Sequence, residues 1–137
     1  MIKILLVIIT AALVAACLPK NAFAPPPDEY ETWIKQGASE LDVWKAMLGC
    51  GFASPFRVME AYPGGERSDE QIAASMRCME GIGYRQYEQG RPSLVCDGWR
   101  SRLMACTSDA AVRKPDVDVR LNSGYCKKYP QSRACVP

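Results

Sequence analysis

The segment SELDVWKAMLGCG, residues 39–51, carries the pattern that decides the fold. Ser39 is a favourable N-cap residue and an acid, Asp42, follows three positions later, which is typical of a helix start. The apolar residues that follow share one helical face at the spacing i, i+3 and i+7: Leu41, Trp44 and Leu48. Gly49 and Gly51 end the pattern, because glycine favours helix termination. The segment therefore predicts a short amphipathic helix.

A second segment, SDEQIAASMRCMEGIG at residues 68–83, repeats the same order of capping serine, apolar stripe and terminal glycines. Ser68 and Gln71 form a capping box, and Ile72, Met76 and Met79 form the apolar stripe. In both segments a cysteine lies ten or eleven residues after the capping serine, at Cys50 and Cys78. If the two helices pack together, a Cys50–Cys78 bridge joins equivalent ends and contributes roughly 3 to 4 kcal/mol on the loop-entropy model.

The remaining chain predicts short elements separated by glycine and proline. Residues 28–35 predict a short helix with Tyr30, Trp33 and Ile34 on one apolar face. It lies next to a proline-rich spacer, so Tyr30 and Trp33 are candidates for an exposed aromatic contact. A helix is expected from Pro92 to about residue 105, with Trp99 on its buried face. Trp44, on the helix of residues 39–48, is likewise expected to be buried. Apolar and polar residues alternate over residues 115–119, which predicts an extended segment. Residues 123–137 are predicted to form a C-terminal tail. We expect a mainly α, disulfide-stapled bundle of short helices with an irregular C-terminal tail.

The N-terminus has the order of an export signal: Lys3, an apolar run over residues 4–9, and small residues that end at Cys17. The apolar stretch is shorter than the roughly 20 residues of a membrane span. The sequence Val14-Ala15-Ala16-Cys17 resembles the lipobox of bacterial lipoproteins, in which the cysteine becomes the acylated first residue. The resemblance implies a signal peptide at 1–16, a lipidated, proline-rich tether at 17–27 and one domain at 28–137. The alternative is an ordinary secretory signal that leaves Cys17 as a free thiol.

The resemblance also implies a cellular location. A membrane partner engaged through acyl chains on Cys17 follows from it, because several chains on one residue give long-lived attachment. Many lipoproteins retained at the inner membrane carry aspartate just after the anchor, and this chain has Leu18 there. The expectation is a cell-envelope protein on the outer membrane, facing the periplasm.

Seven cysteines leave an even set once Cys17 is assigned to lipid. In an oxidising compartment an even set indicates three disulfides, which are expected among these residues: Cys50, Cys78, Cys96, Cys106, Cys126 and Cys135. The last four allow either the local pairs 96–106 and 126–135 or crossed pairs that tie the tail to the preceding segment. A four-thiolate zinc site is the remaining use of those four, but no Cys-x-x-Cys spacing supports it.

The residue content argues against catalysis. The chain has no histidine, which excludes a histidine-containing catalytic triad, an imidazole base and a histidine metal ligand. Its paired acids fall in predicted first helical turns, where the helix dipole favours them. We therefore expect no enzyme, no cofactor and no metal site.

Charge is distributed unevenly along the chain. Residues 18–99 hold eight basic and twelve acidic side chains, whereas residues 100–137 hold eight basic and three acidic ones. A basic patch on the C-terminal part would suit binding of an anionic envelope polymer or an acidic protein. Nucleic acid is not an expected partner in the cell envelope. Its candidate binding residues are Arg113, Lys114, Lys127 and Lys128. The alternative is that the two halves neutralise each other within the fold.

The sequence therefore favours a lipid-anchored envelope protein with a non-catalytic binding or structural role. An inhibitor or immunity-type lipoprotein that neutralises a toxin or a phage component is the alternative. An envelope hydrolase is the third hypothesis.

Overall fold

The computed structural model describes residues 25–56 and 67–137. The lipobox-like segment and the start of the tether therefore lie outside the described residues. Of the tether, residues 25–27 are described, and these three prolines are exposed and in no helix or strand. Within the two described ranges, no helix has the length and apolar character needed to cross a membrane.

The two helices predicted from their capping boxes are both confirmed. Helix α1 spans Glu40–Gly49 and helix α2 spans Asp69–Gly81. The Ser39 hydroxyl accepts the Asp42 N–H at 3.3 Å, and the Asp42 carboxylate accepts the Ser39 N–H at 2.8 Å. Ser68 and Gln71 repeat the arrangement at the start of α2. Each box satisfies two backbone donors that the first turn would otherwise leave unpaired.

Helix α1 lies between two apolar clusters. Val43 and Met47 enter the main cluster with the apolar side of α2, whereas Leu48 enters a second cluster with the C-terminal segment. Leu41 packs at the edge of the second cluster, and Trp44 packs against both. The stripe predicted from the sequence is thus the half of the helix that faces the C-terminal segment, and Val43 and Met47 form the other half.

The predicted Cys50–Cys78 bridge is present. It joins the end of α1 to the third turn of α2 with a Cα–Cα distance of 5.6 Å, and both residues are fully buried in the main cluster. Phe52 and Met79 are buried around it. The bridge is therefore both a covalent link and part of the packed core.

The helix predicted over residues 28–35 is replaced in part by a strand of a small antiparallel sheet. Within residues 28–35, a 3₁₀ helix covers only Glu29–Thr32, and strand β1 follows at Trp33–Ile34. In the described ranges β1 pairs with β2, Arg85–Glu88, which pairs with β3, Arg91–Ser93. Because side chains alternate along a strand, Trp33 is 3% exposed and Ile34 is 54% exposed. A helix would have put both on one face.

The helix predicted from Pro92 to about residue 105 is wrong. Pro92 lies in β3 opposite Tyr87, and the chain continues into two short 3₁₀ turns, Gly98–Arg102 and Met104–Cys106. Gly98 has φ +62°, which interrupts a right-handed helix. The Cys96–Cys106 bridge closes this loop. Trp99, expected in the core, is 58% exposed.

The segment predicted as extended at 115–119 is helical instead. Helix α3 spans Val117–Leu121, and the Asp116 carboxylate accepts the Val119 N–H at 3.0 Å. Gly49 allows this segment to approach α1 closely, since a Cβ there would lie 3.1 Å from Pro115 Cβ. The Asp116 N–H also donates to the Gly49 carbonyl at 3.0 Å. Capping and close backbone contact therefore override the two-residue alternation.

The C-terminal tail is ordered rather than irregular. It forms helix α4, Gly124–Lys128, and a 3₁₀ turn, Arg133–Cys135, joined by the local Cys126–Cys135 bridge. The local pairing is the alternative found, and the crossed pairs are not. Noncovalent contacts hold this hairpin on the domain. Tyr125 and Ala134 pack against Leu48, and the Tyr125 N–H donates to the Ala53 carbonyl. The architecture is broadly mainly α, with the small sheet added.

Candidate binding site: a pocket with two arginines

The two aromatic residues predicted as exposed contacts do not form a free surface. Trp33 is buried in the main cluster, with its ring edge-on to Phe52 at 6.3 Å between centroids. Tyr30 is half-buried and packs edge-on against Trp44 and Phe56, at 5.4 and 5.8 Å. Trp33 is thus a core residue, which corrects the expectation, whereas the partly buried Tyr30 ring contacts two other rings of the fold.

The predicted basic residues fall in two places. Lys127 and Lys128 are exposed near the end of α4, where the Lys128 ammonium lies 5.3 Å from the Tyr129 ring centroid. Arg113 and Lys114 are exposed on the segment before α3. Of the four, Arg113 lines a pocket that contains a second arginine, Arg67.

The pocket has a volume of about 360 Å³ and lies between the first turns of α2, the turn after α1 and the 3₁₀ turn at Met104–Cys106. Its polar lining residues are Arg67, Glu70, Gln71, Ser75 and Arg113. We call this the two-arginine pocket. It is positioned by the same elements that form the core, since α2 contributes one wall and the Cys50–Cys78 bridge fixes α2 against α1.

Arg67 is a rigid part of the wall. Its guanidinium lies over the Phe52 ring, 5.4 Å from the centroid, and its Nη2 donates to the Gln71 carbonyl at 2.7 Å and to the Ser75 hydroxyl. Burial lowers the pKa of Arg67, and the positive charge of Arg113 lowers it further. The guanidinium remains protonated at neutral pH, so two cationic groups share one concave surface.

Gly51 lies beside the second arginine. Its φ of +92° is a conformation that favours glycine, and a Cβ there would lie 3.4 Å from Ser75 Oγ and 3.5 Å from Arg113 Nη1, at ordinary van der Waals contact. The turn after α1 therefore brings the Arg113 side chain close to the Ser75 side of the pocket. Arg113, unlike Arg67, is exposed and free to reorient.

Glu70 is the acidic residue of the lining, and its carboxylate is already engaged. Its two oxygens accept the backbone N–H groups of Met104 and Ala105, at 2.8 and 3.1 Å. Glu70 thus fixes the disulfide-closed loop to α2. Among the residues that the structure describes, no carboxylate forms an ion pair with Arg67 or Arg113.

The described lining is suited to binding an anion, because two guanidinium groups line one pocket. The Ser75 hydroxyl donates to the Gln71 carbonyl at 3.0 Å and accepts from Arg67. Over the described ranges, no group of three or more potential ligands is placed to hold a metal ion.

Sequence reasoning found Arg113 but missed Arg67. Arg67 stands directly before the capping Ser68 and outside the basic C-terminal part of the chain, so charge counting did not select it. The sequence feature that could have identified Arg67 is its position before the N-cap, because a side chain there lies beside the first helical turn. Comparisons of the chain with protein-family models, curated proteins and solved structures find no match.

Proposed function

We propose that this chain is a lipid-anchored protein of the bacterial cell envelope with a non-catalytic binding role. The observation that carries the proposal is the pairing of the cysteines. Six of the seven are joined as 50–78, 96–106 and 126–135, which leaves Cys17 as the odd one. Three disulfides in a chain of this size are typical of an oxidising compartment outside the cytoplasm.

The position of the odd cysteine supports lipidation. Cys17 ends a stretch of small residues after an apolar run, and the exposed prolines at 25–27 separate it from the first element of the fold. A proline-rich tether is semi-rigid, so it would hold the domain away from the bilayer surface. Leu18 stands where many lipoproteins retained at the inner membrane carry aspartate, which supports a location on the outer membrane, facing the periplasm.

The binding role is supported by what the domain exposes. The two-arginine pocket presents two guanidinium groups that pair with no carboxylate of residues 25–56 and 67–137, and its described lining residues do not include the clustered carboxylates or activated nucleophile of a hydrolase. An anionic envelope polymer or an acidic surface of an envelope protein is the class of partner that such a pocket suits.

Intact mass of the protein extracted from membranes tests the anchor and the bridges together. We expect a chain that begins at Cys17, heavier than its sequence by the mass of acyl chains, and a gain of about 6 Da when three disulfides are reduced. The matched control is Cys17→Ser, which should lose the acyl mass and keep the 6 Da gain. A native protein that retains residues 1–16, carries no lipid and contains free thiols would overturn the proposal.

A further inference from the structure

We propose that the two-arginine pocket binds a phosphate group, held between the guanidinium groups of Arg67 and Arg113. The inference rests on the proposed function only for the origin of that phosphate in the envelope. The binding chemistry depends on the pocket alone and can be tested on the purified chain.

The two arginines differ in a way that suits a clamp. Arg67 is fixed by the Phe52 ring, the Gln71 carbonyl and the Ser75 hydroxyl, so it pays little further entropy when it binds a ligand. Its described hydrogen bonds all use Nη2, which leaves Nη1 and Nε available. Arg113 is exposed and lines the same pocket, so its long side chain can adjust to a bound group.

The charge of the pocket favours phosphate over a carboxylate. The two guanidinium groups line one pocket and carry like charges, so they repel each other. A phosphate monoester carries about −1.5 to −2 charges at pH 7 and offers three oxygens, so it can neutralise both groups and accept paired N–H bonds from each. A single carboxylate neutralises one of them. Glu70 lies in the lining, but both of its oxygens are engaged by backbone N–H groups.

The experiment uses the full processed chain in detergent, titrated with inorganic phosphate at constant ionic strength and followed by calorimetry. We expect saturable binding that Arg113→Gln weakens about tenfold or more, because one of two charged clamps is lost. Lys114→Gln is the matched control: it removes the same charge from the next exposed residue and should change affinity less than about twofold. Arg67→Lys keeps the charge but loses the planar fork, and should also weaken binding.

Two further arms separate the alternatives. Acetate replaces phosphate as a carboxylate probe, and it should bind more weakly. Vesicles of phosphatidylcholine with a minor fraction of phosphatidic acid, mixed with the exported Cys17→Ser form, present phosphate as a lipid headgroup. If Arg113→Gln lowers vesicle binding and free phosphate competes, the source is a headgroup. If vesicle binding is unaffected, the pocket takes soluble phosphate.

The proposal is overturned by any of three results: no saturable phosphate binding, equal weakening by Arg113→Gln and Lys114→Gln, or acetate binding as tightly as phosphate. Failure of this proposal is distinct from failure of the proposed function. A chain acylated at Cys17 that ignores phosphate loses only the pocket assignment. A chain that binds phosphate through Arg113 but carries no lipid loses only the anchor.

Discussion

The Cys50–Cys78 bridge should contribute more to stability than the two shorter ones, and the difference can be worked from the structure. Its sequence separation is 28, which corresponds to about 3.6 kcal/mol on the loop-entropy model, whereas the separation of 9 at Cys126–Cys135 corresponds to about 2.7 kcal/mol. Cys50 and Cys78 are also fully buried, so replacing both with alanine leaves space in the core and adds about 1 kcal/mol.

The assay is urea unfolding of the oxidised chain, with the two remaining bridges verified by mass. The Cys50→Ala, Cys78→Ala double variant should lose about 4 to 5 kcal/mol of unfolding free energy, and the matched Cys126→Ala, Cys135→Ala variant about 3 to 4 kcal/mol. The second pair is nearly as well buried but closes a much shorter loop. Equal losses, or a larger loss for the C-terminal pair, would refute the reasoning.

Three further changes probe single contacts. Burial raises the pKa of Glu29, so the native state holds that proton more tightly than the unfolded chain, and stability should fall as pH rises above the ordinary glutamate pKa of about 4.3 toward the raised native pKa. Glu29→Gln should flatten this slope when unfolding is measured from below to well above that ordinary value. Gly49→Ala puts a Cβ 3.1 Å from Pro115 and should cost about 1 to 3 kcal/mol in thermal unfolding, since the contacting backbone must shift; an unchanged melting temperature would contradict this. Arg120→Met removes the buried donor to the Ala134 carbonyl, 3.2 Å away, and should cost about 1 to 3 kcal/mol and speed amide exchange in the C-terminal hairpin first.

The parts of the fold that local chemistry determines could be predicted from the sequence. Both capping boxes and both glycine stops lie within one helix each, and their outcome does not depend on the rest of the chain. The Cys50–Cys78 pairing followed because the two helices present cysteines at equivalent ends. These features required no knowledge of which surfaces meet.

The predictions that were wrong concern segments whose structure depends on residues far away in the sequence. Trp33 leaves its helical pattern because Gln86, more than fifty residues later, offers a strand to pair with. Residues 96–106 lose their helix to a disulfide, to Gly98 and to the Glu70 carboxylate that binds their backbone. In the candidate site, Arg113 was found from charge, but Arg67 becomes a partner only when α2 is placed beside the turn at Gly51. Sequence periodicity carries no information on such contacts.

The three bridges join consecutive cysteines, and this order matters for a polypeptide that crosses a membrane N-terminus first. The first thiol of each pair meets its native partner as the next thiol to arrive, so oxidation in order of emergence yields one pairing out of fifteen without reshuffling. The exception is Cys17, which would emerge first and capture Cys50. Capping that sulfur with lipid would therefore protect the register of every bridge that follows.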